Sequence, residues 1–148
     1  MARIVGPSPR DTGRAMSENL DLVRSIYADW ERGDFSRFDW ADPEMEYVFA
    51  DGPEPASGRG HAAMWIAWRG VLSAWRDHRV IAEEHRELDD GGILTLTTFG
   101  GRGEASGIEL TDAMARGASV MYVREGQVER IVLYMNRAVA LADLGVKE

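Results

Sequence analysis

The sequence predicts an α+β domain, and two observations favour that fold class. Apolar residues recur at helical spacing in two segments of the first half, residues 17–32 and 60–76, whereas alternation with a period of two dominates after residue 78. The strands therefore form a run of neighbours instead of alternating with helices. A chain of 148 residues with 45% hydrophobic residues fits one domain with a real core.

The first predicted helix runs from Ser17, a suitable N-cap, to Arg32. Its apolar residues are spaced three or four apart and are Leu20, Val23, Ile26, Tyr27 and Trp30. Gly33 ends this helix, and Asp34 is expected to cap a short second helix that carries Phe35, Phe38 and Trp40.

Residues 1–16 contain two prolines and two glycines and lack this periodicity. We therefore expect an N-terminal extension over 1–16 and a single domain over 17–148.

A first strand is expected over 43–50, followed by a loop over 51–55 that holds two prolines. The next helix is expected over about 60–76. Its apolar stripe includes three tryptophans and consists of Met64, Trp65, Trp68, Val71, Leu72 and Trp75. Because indole side chains are large hydrophobes, this stripe favours a helix that closes the core.

Five strands are predicted after His78, near residues 79–88, 92–102, 107–114, 118–124 and 127–135. Tight hairpin turns are expected at 89–92 and 124–127, and a last helix over 137–144, capped by Asn136 and closed by Gly145. Residues 93–99 are apolar or threonine on both faces, and the helices can cover only one face. This pattern predicts a homodimer formed through the sheet.

Composition excludes several classes of function. A net charge of −8, with the basic residues scattered among carboxylates, argues against nucleic acid as a partner. The absence of cysteine excludes disulfides, thiol nucleophiles and Cys-ligated zinc. No apolar run reaches the length of a membrane helix, no signal-peptide pattern is seen, and we expect a cytoplasmic protein. Without a phosphate-binding loop, a metal motif or a nucleophilic serine motif, neither a cofactor nor a metal is expected.

Several short segments, taken in their order and spacing over residues 17–145, carry a resemblance to a known family. They are residues 30–34 (Trp-Glu-Arg-Gly-Asp), 58–61 (Gly-Arg-Gly-His), 101–103 with 106–109, 123–128 and 138–145. In these segments the chain resembles the NTF2-like superfamily, and within it the SnoaL-like proteins. The resemblance implies a cone in which a strongly curved antiparallel sheet wraps around about three main helices. It also implies an internal pocket for a small apolar molecule and a homodimer.

The resemblance does not imply one reaction, because the fold hosts isomerases, cyclases, hydrolases and plain binding proteins. Similarity to ketosteroid isomerases places Tyr27 within one position of that family's tyrosine and Asp51 near its general base. Where that family has a second acid, near Ser119 and Val120, this chain has no carboxylic acid.

Similarity to SnoaL-type cyclases, which pair an aspartate with a histidine, points to His61 on the apolar stripe of the long helix. His78 and His85 have charged neighbours and are interpreted as surface residues. Similarity to limonene-epoxide-hydrolase-like proteins, which use an Asp-Arg-Asp relay, suggests Asp112, Arg137 and Glu109. The position of Arg137 at a helix start is instead typical of a surface ion pair.

Glu109 has two interpretations: a solvated or interface residue opposite Ile108 and Leu110, or a buried general base. The catalytic candidates are therefore His61, Glu109 and Asp51. The candidates for ligand contact are Tyr27, Trp30, Tyr47, Trp65, Trp68, Asp112 and Tyr122. The sequence leaves open whether the pocket belongs to a cofactor-free acid–base enzyme or to a non-catalytic binding protein.

Overall fold

The computed structural model describes residues 9–51, 55–73, 75–103 and 116–147. These residues contain three helices and a curved, unclosed, six-stranded mixed sheet. In chain order the elements are α1 (Pro9–Glu31), β1 (Ala41–Phe49), β2 (Ala56–Arg59), α2 (His61–Ser73), β3 (Trp75–Glu87), β4 (Ile93–Gly103), β5 (Arg116–Arg124), β6 (Gln127–Tyr134) and α3 (Arg137–Leu144). The predicted α+β class is confirmed.

The strand order across the sheet is β2-β1-β6-β5-β4-β3. Four neighbouring pairs are antiparallel, but β1 and β6 run parallel, with Tyr47 opposite Ile131. The sheet is therefore mixed where an antiparallel sheet was expected. Residue patterns report which side of a strand is buried, but they do not identify a partner strand some 80 residues away.

The helix α1 begins at Pro9, eight residues before the predicted start at Ser17. Proline is well suited to the first turn of a helix because its missing N–H needs no partner there. That residues 1–16 can be removed without loss of the fold stays a prediction.

No second helix follows Gly33. The Asp34 carboxylate instead accepts hydrogen bonds from the backbone N–H of Ser36 (3.0 Å) and from its hydroxyl (2.6 Å). This local turn competes with helix formation, as short polar side chains often do. Phe35 and Trp40 are nevertheless buried, so the segment contributes to the core without helical structure.

The long helix α2 ends at Ser73, and Trp75 opens β3 instead of extending the helical stripe. The short strand β2 was also not predicted, because residues 58–61 were interpreted as the entry to the helix. Gly58 lies in β2 opposite Tyr47 of β1, and position 58 requires glycine because the ring of Tyr47 lies where a Cβ atom would stand. The predicted strand over 107–114 lies outside the described residues.

The two hairpin turns and the last helix were predicted correctly. Glu125 and Gly126 have φ angles of 51° and 78°, the left-handed pair of a tight two-residue turn. The side chain of Asn136 accepts from the N–H of Val139 (3.2 Å), and Gly145 closes α3 in the left-handed conformation.

The sheet has two faces, and both are covered along β4, β5 and β6. The inner face packs against α1 and α2 and carries alternate residues such as Thr95 and Thr97. The outer face carries Leu94 and Leu96, which pack in one cluster with Ala140 of α3. Residues 93–97 are thus buried on both sides within a single chain, so their pattern does not require a second subunit.

No helix in the ranges that the structure describes is long and apolar enough to cross a membrane.

Candidate functional site

A cavity of about 70 Å³ lies between the inner face of the sheet and the helices α1 and α2. This volume can hold several water molecules or a small organic group. Every strand from β3 to β6 contributes to it, and so does β1. The residues that line it are Tyr27, Trp30, Phe49, Trp68, His78, Val80, Thr97, Phe99, Ala118, Ser119, Leu133, Tyr134 and Met135.

The walls of the cavity are mainly aromatic. The ring centroids of Trp30 and Trp68 are 5.2 Å apart, and those of Phe49 and Trp68 are 6.3 Å apart. Phe99 occupies the space beside Gly117, where any Cβ atom would collide with its ring. Aromatic walls of this kind give an apolar ligand a large contact area with few side-chain torsions to immobilise.

A pair of hydroxyl groups forms one polar end of the cavity. Tyr27 of α1 and Ser119 of β5 are both buried, and their hydroxyl oxygens share a short hydrogen bond. Burial raises the pKa of Tyr27, and the hydrogen bonds from Ser119 and Thr95 oppose that rise only in part. The phenol therefore stays protonated and can act as a hydrogen-bond donor but not as a base.

His78 of β3 lines the same cavity, contrary to its interpretation as a surface residue. Its ring stacks between Phe35 and Phe99, with centroid distances of 5.7 and 6.1 Å. Burial lowers the pKa of His78, so the imidazole is neutral at pH 7. Arg79, the charged residue that follows His78 along β3, is exposed and donates to the backbone carbonyl oxygen of Glu31.

Among the residues that the structure describes, two buried polar atoms of the lining have no hydrogen-bond partner, His78 Nδ1 and Thr97 Oγ1. Buried polar groups are nearly always paired, since an unpaired one costs about 1–3 kcal/mol. Both atoms belong to residues that line the cavity. A ligand or water molecule in the cavity is the natural partner for them.

This arrangement supplies the components of acid–base chemistry. A neutral imidazole can accept a proton, and a phenol and a hydroxyl can stabilise negative charge on a ligand oxygen. Within the described residues no cluster of His, Asp and Glu side chains is arranged to bind a metal ion.

The structure brings together three of the sequence-predicted site residues. Tyr27, Trp30 and Trp68 line the cavity. Tyr47 is buried one layer away, with its ring 5.8 Å from that of Phe49. Trp65 points away from the cavity, is 37% exposed and packs edge-on against Phe38 at 5.8 Å.

The other candidates lie elsewhere. His61 starts α2, and its Nε2 atom lies 2.8 Å from the carbonyl oxygen of Ala41. The carboxylate of Asp51 accepts from the backbone N–H groups of Met135 (2.6 Å) and Asn136 (2.9 Å), where it holds the entry to α3.

Tyr122 donates to Asp90 at 2.7 Å, outside the cavity lining. Glu109 and Asp112 lie outside the described residues. Arg137, interpreted as a surface residue at a helix start, is buried on the outer face.

Sequence reasoning did not single out His78, Thr97 and Ser119 for the site. One signal was available in the alternation along β3 and β4. His78 and Thr97 each stand two residues before an apolar residue, Val80 and Phe99, and therefore lie on the same face as that residue. Ser119 stands where the resemblance to ketosteroid isomerases implied a second acid, so a hydroxyl group replaces a carboxylic acid beside Tyr27.

Comparison with known proteins gives a fold and no closer relationship. No model of a protein family matches the chain, and no curated protein sequence matches it. Among solved structures, it is similar to an NTF2-like protein of unknown function from Burkholderia pseudomallei, with a TM-score of 0.68 and 18% identity over 86% of this chain and 97% of that one.

Two further structures resemble the chain to the same degree. A putative isomerase from Bacillus subtilis has a TM-score of 0.67 and 18% identity over 88% of this chain and 95% of that one. TerC, co-crystallised with polyporic acid, has a TM-score of 0.66 and 19% identity over 86% of this chain and 97% of its own. The chain therefore has the NTF2-like fold, which the sequence resemblance predicted.

Proposed function

We propose that the protein binds a small, largely apolar molecule that carries an oxygen group and performs cofactor-free acid–base chemistry on it. The observation that supports this most directly is the pairing of an aromatic cavity with two unpartnered polar atoms, on His78 and Thr97. An empty apolar cavity would be more stable without such atoms, so their presence favours a ligand that forms hydrogen bonds with them.

In this proposal, the hydroxyl pair of Tyr27 and Ser119 donates to a carbonyl oxygen of the ligand. His78 Nδ1 takes a proton from the neighbouring carbon, so the electron pair of that C–H bond moves onto the oxygen as an enolate. Return of the proton from His78 to another carbon gives an isomerisation. Attack of the enolate carbon on a second carbonyl gives a cyclisation, in which the electron pair of that C=O bond moves onto its oxygen and the proton from His78 passes to the new alkoxide. A hydrolase would use the same imidazole to activate water.

The fold neighbours support the general class. One of them is described as a putative isomerase, and another, TerC, was co-crystallised with polyporic acid. At identities of 18–19% these proteins share the fold, and their ligands identify no substrate for this chain.

A second candidate function is non-catalytic binding of the same kind of ligand. It is favoured by the lining, which is mostly aromatic and aliphatic, and by the small volume of the cavity. Under this alternative His78 Nδ1 and Thr97 Oγ1 only orient the ligand through hydrogen bonds.

The proposal includes the homodimer predicted from the sequence, now on different grounds. Ile81 follows the buried Val80 on the edge strand β3, faces the opposite side and is 38% exposed. Val139 of α3 is exposed to the same extent. Sedimentation equilibrium at micromolar concentration should give twice 16.5 kDa, and a mass of 16.5 kDa would show a monomer.

Cyclohexanone, a small apolar ketone, tests the proposed chemistry in D₂O. We expect it to perturb the tryptophan fluorescence, because Trp30 and Trp68 line the cavity. We also expect the protein to catalyse exchange of its α-protons for deuterium, measured by ¹H NMR. Fluorescence change without exchange would favour the binding function, and neither response at millimolar ketone would contradict both functions.

Two variants identify the base. His78→Phe keeps an aromatic ring between Phe35 and Phe99 but removes the nitrogen, and it should reduce exchange by about 100-fold or more. His61→Gln is the matched comparison, because His61 was the histidine that the sequence favoured. If the loss follows His61 instead of His78, the assignment of the base is wrong.

A further inference from the structure

A chain of hydrogen-bonded side chains leads from the cavity toward the surface. His85 Nδ1 on β3 lies 2.8 Å from the hydroxyl oxygen of Thr95 on β4. Thr95 stands directly opposite Ser119 in the pairing of β4 with β5. The hydroxyl of Tyr27 on α1 is hydrogen-bonded to Ser119, and hydrogen bonding with Thr95 also acts on the pKa of Tyr27. Four side chains from four elements thus form one polar row.

One end of this row is fully buried and the other end is partly exposed to solvent. Thr95, Ser119 and Tyr27 are 0, 1 and 3% exposed. His85 is half-buried and sits at the outer end of the row, with its ring centroid 5.9 Å from that of Tyr27. The inner end, Tyr27 and Ser119, lines the cavity. The row therefore connects the cavity to a group that solvent reaches.

Counting hydrogen atoms shows that His85 sets the direction of the hydrogen bonds. Each hydroxyl group has one proton to donate. When Nδ1 of His85 carries a proton and donates to Thr95, the Thr95 proton is directed to Tyr27, and the inner end has a proton to donate into the cavity. When Nδ1 accepts from Thr95, Tyr27 donates to Thr95 and Ser119 to Tyr27. The inner end then offers only lone pairs.

We propose that His85 is the outer terminal of a proton relay through Thr95 to the Tyr27–Ser119 pair, which exchanges a proton with an oxygen atom of the ligand. The relay would suit a ligand whose oxygen changes between carbonyl and hydroxyl forms during turnover. This inference rests on the proposed function and extends it, because it assigns roles to Thr95 and His85, which do not line the cavity. Both are positioning residues that act through Tyr27.

The transfer is balanced at every atom. The hydroxyl of Tyr27 gives its proton to the ligand oxygen, Thr95 gives its proton to Tyr27, and His85 Nδ1 gives its proton to Thr95. The imidazole takes a replacement proton from water at Nε2, so His85 changes tautomer and remains neutral. The reverse sequence removes a proton from a ligand hydroxyl.

The charges around His85 favour its neutral form. Burial lowers the pKa of His85, and the positive charge of Arg24 on α1 lowers it further. Tyr27 is the other titratable group that faces it from α1. On β4 its partner is Thr95, which does not titrate, and the flanking residues Glu84 and Arg86 on β3 pair with each other at 3.0 Å. A neutral imidazole at pH 7 can both donate and accept, as a relay requires.

Replacing Thr95 interrupts the relay without touching the cavity. Thr95→Val has nearly the same shape but no hydroxyl, whereas Thr95→Ser keeps the hydroxyl. We expect Thr95→Val to lower the rate of cyclohexanone exchange at least about tenfold at unchanged KM. The inflection of the pH profile due to His85 should vanish while that of His78 remains, and Thr95→Ser should restore both. Equal rates and profiles in Thr95→Val and wild type would overturn the relay.

A measurement without ligand separates this inference from the proposed function. The titration of His85, followed by ¹⁵N NMR, should move to lower pH by about 0.3 pH unit or more in Ser119→Ala, because the protonated form loses the last acceptor of its chain. The shift should disappear in a Thr95→Val background. Thr97→Val, on the same face but outside the row, should leave the titration of His85 unchanged. No response to Ser119→Ala would overturn the relay even if cyclohexanone exchange is observed. If cyclohexanone does not react, these titrations still decide the relay.

Discussion

The inner and outer faces of the sheet differ in whether their buried polar groups are hydrogen-bonded. On the outer face, the guanidinium of Arg137 donates to the carbonyl oxygens of Thr97 (2.6 Å) and Gly117 (3.4 Å) and lies 3.2 Å from the carboxylate of Glu83. On the inner face, His78 Nδ1 and Thr97 Oγ1 have no hydrogen-bond partner within the described part of the chain. Thr97 shows both conditions in one residue, with a paired carbonyl oxygen and an unpaired hydroxyl.

This difference suggests that the paired polar groups of the outer face contribute to stability, whereas the unpaired groups of the inner face are kept for a ligand. Paired polar groups under α3 cost little and fix the helix against the sheet. Unpaired groups beside the cavity destabilise the empty protein, and such a cost is typical of sites that bind or react. The two faces therefore differ in what a substitution should do to the free energy of unfolding and to ligand binding.

The largest effect should come from the cavity wall. Trp68→Ala removes a side chain that is buried against Trp30, Phe35 and Phe49, and it should lower the free energy of unfolding by about 3–5 kcal/mol. Urea denaturation measures the change. A cost below about 1 kcal/mol would show that the inner face is not part of the stabilising core.

A somewhat smaller loss is expected on the outer face. Arg137→Leu leaves two backbone carbonyl groups without their donor and should cost about 2–4 kcal/mol. Because Glu83 is half-exposed, water can compensate its carboxylate. Cyclohexanone binding, measured by fluorescence well below the denaturation midpoint, should be unchanged. If Arg137→Leu lost ketone binding but kept its stability, the outer face would contribute to binding and the proposed difference between the faces would be wrong.

Removal of an unpaired polar atom should change the free energy of unfolding in the opposite direction. Thr97→Val removes an unsatisfied hydroxyl at similar volume and should leave the free energy of unfolding unchanged or raise it by up to about 1 kcal/mol. The same variant should weaken ketone binding, because a hydrogen-bond partner of the ligand is lost. Thr98→Val is the matched control on the outer face, where the Thr98 hydroxyl donates to Glu83, and it should be destabilising.

The sequence predicted what depends on local pattern. The helix α3 with both caps, the turn at Glu125 and Gly126 and the α+β order follow from local residue chemistry and from periodicity. The parallel pairing of β1 with β6 and the end of α2 before Trp75 depend on contacts between distant residues. The predicted helix after Asp34 failed because a hydrogen bond to Ser36 was the better local alternative.

The site was less predictable than the fold. Tyr27, Trp30 and Trp68 were found because large apolar side chains on a helical stripe usually face the interior, although Trp65 on the same stripe as Trp68 does not. His78 was misjudged because its sequence neighbours are charged, whereas its neighbours in space are Phe35 and Phe99, which come from two other segments. Asp51 was predicted to be catalytic, but its carboxylate oxygens accept hydrogen bonds from the backbone N–H groups of Met135 and Asn136, and no sequence pattern predicts these contacts.

The smallest predicted effect is a change in the pH dependence of the free energy of unfolding when His78 on the inner face is replaced. Burial lowers the pKa of His78 in the folded state, so below its ordinary value of 6.5 the unfolded chain binds a proton that the folded chain does not. The contribution of His78 to stability is therefore fully present above pH 6.5 and is lost as the pH falls through that value toward the lower folded pKa. His85, whose pKa is also lowered, adds to the same slope. In His78→Phe the loss of stability between pH 7 and pH 5 should be shallower than in wild type, and urea denaturation at the two pH values measures it. An unchanged slope would mean that the imidazole of His78 is solvated and that the inner face does not hold it neutral.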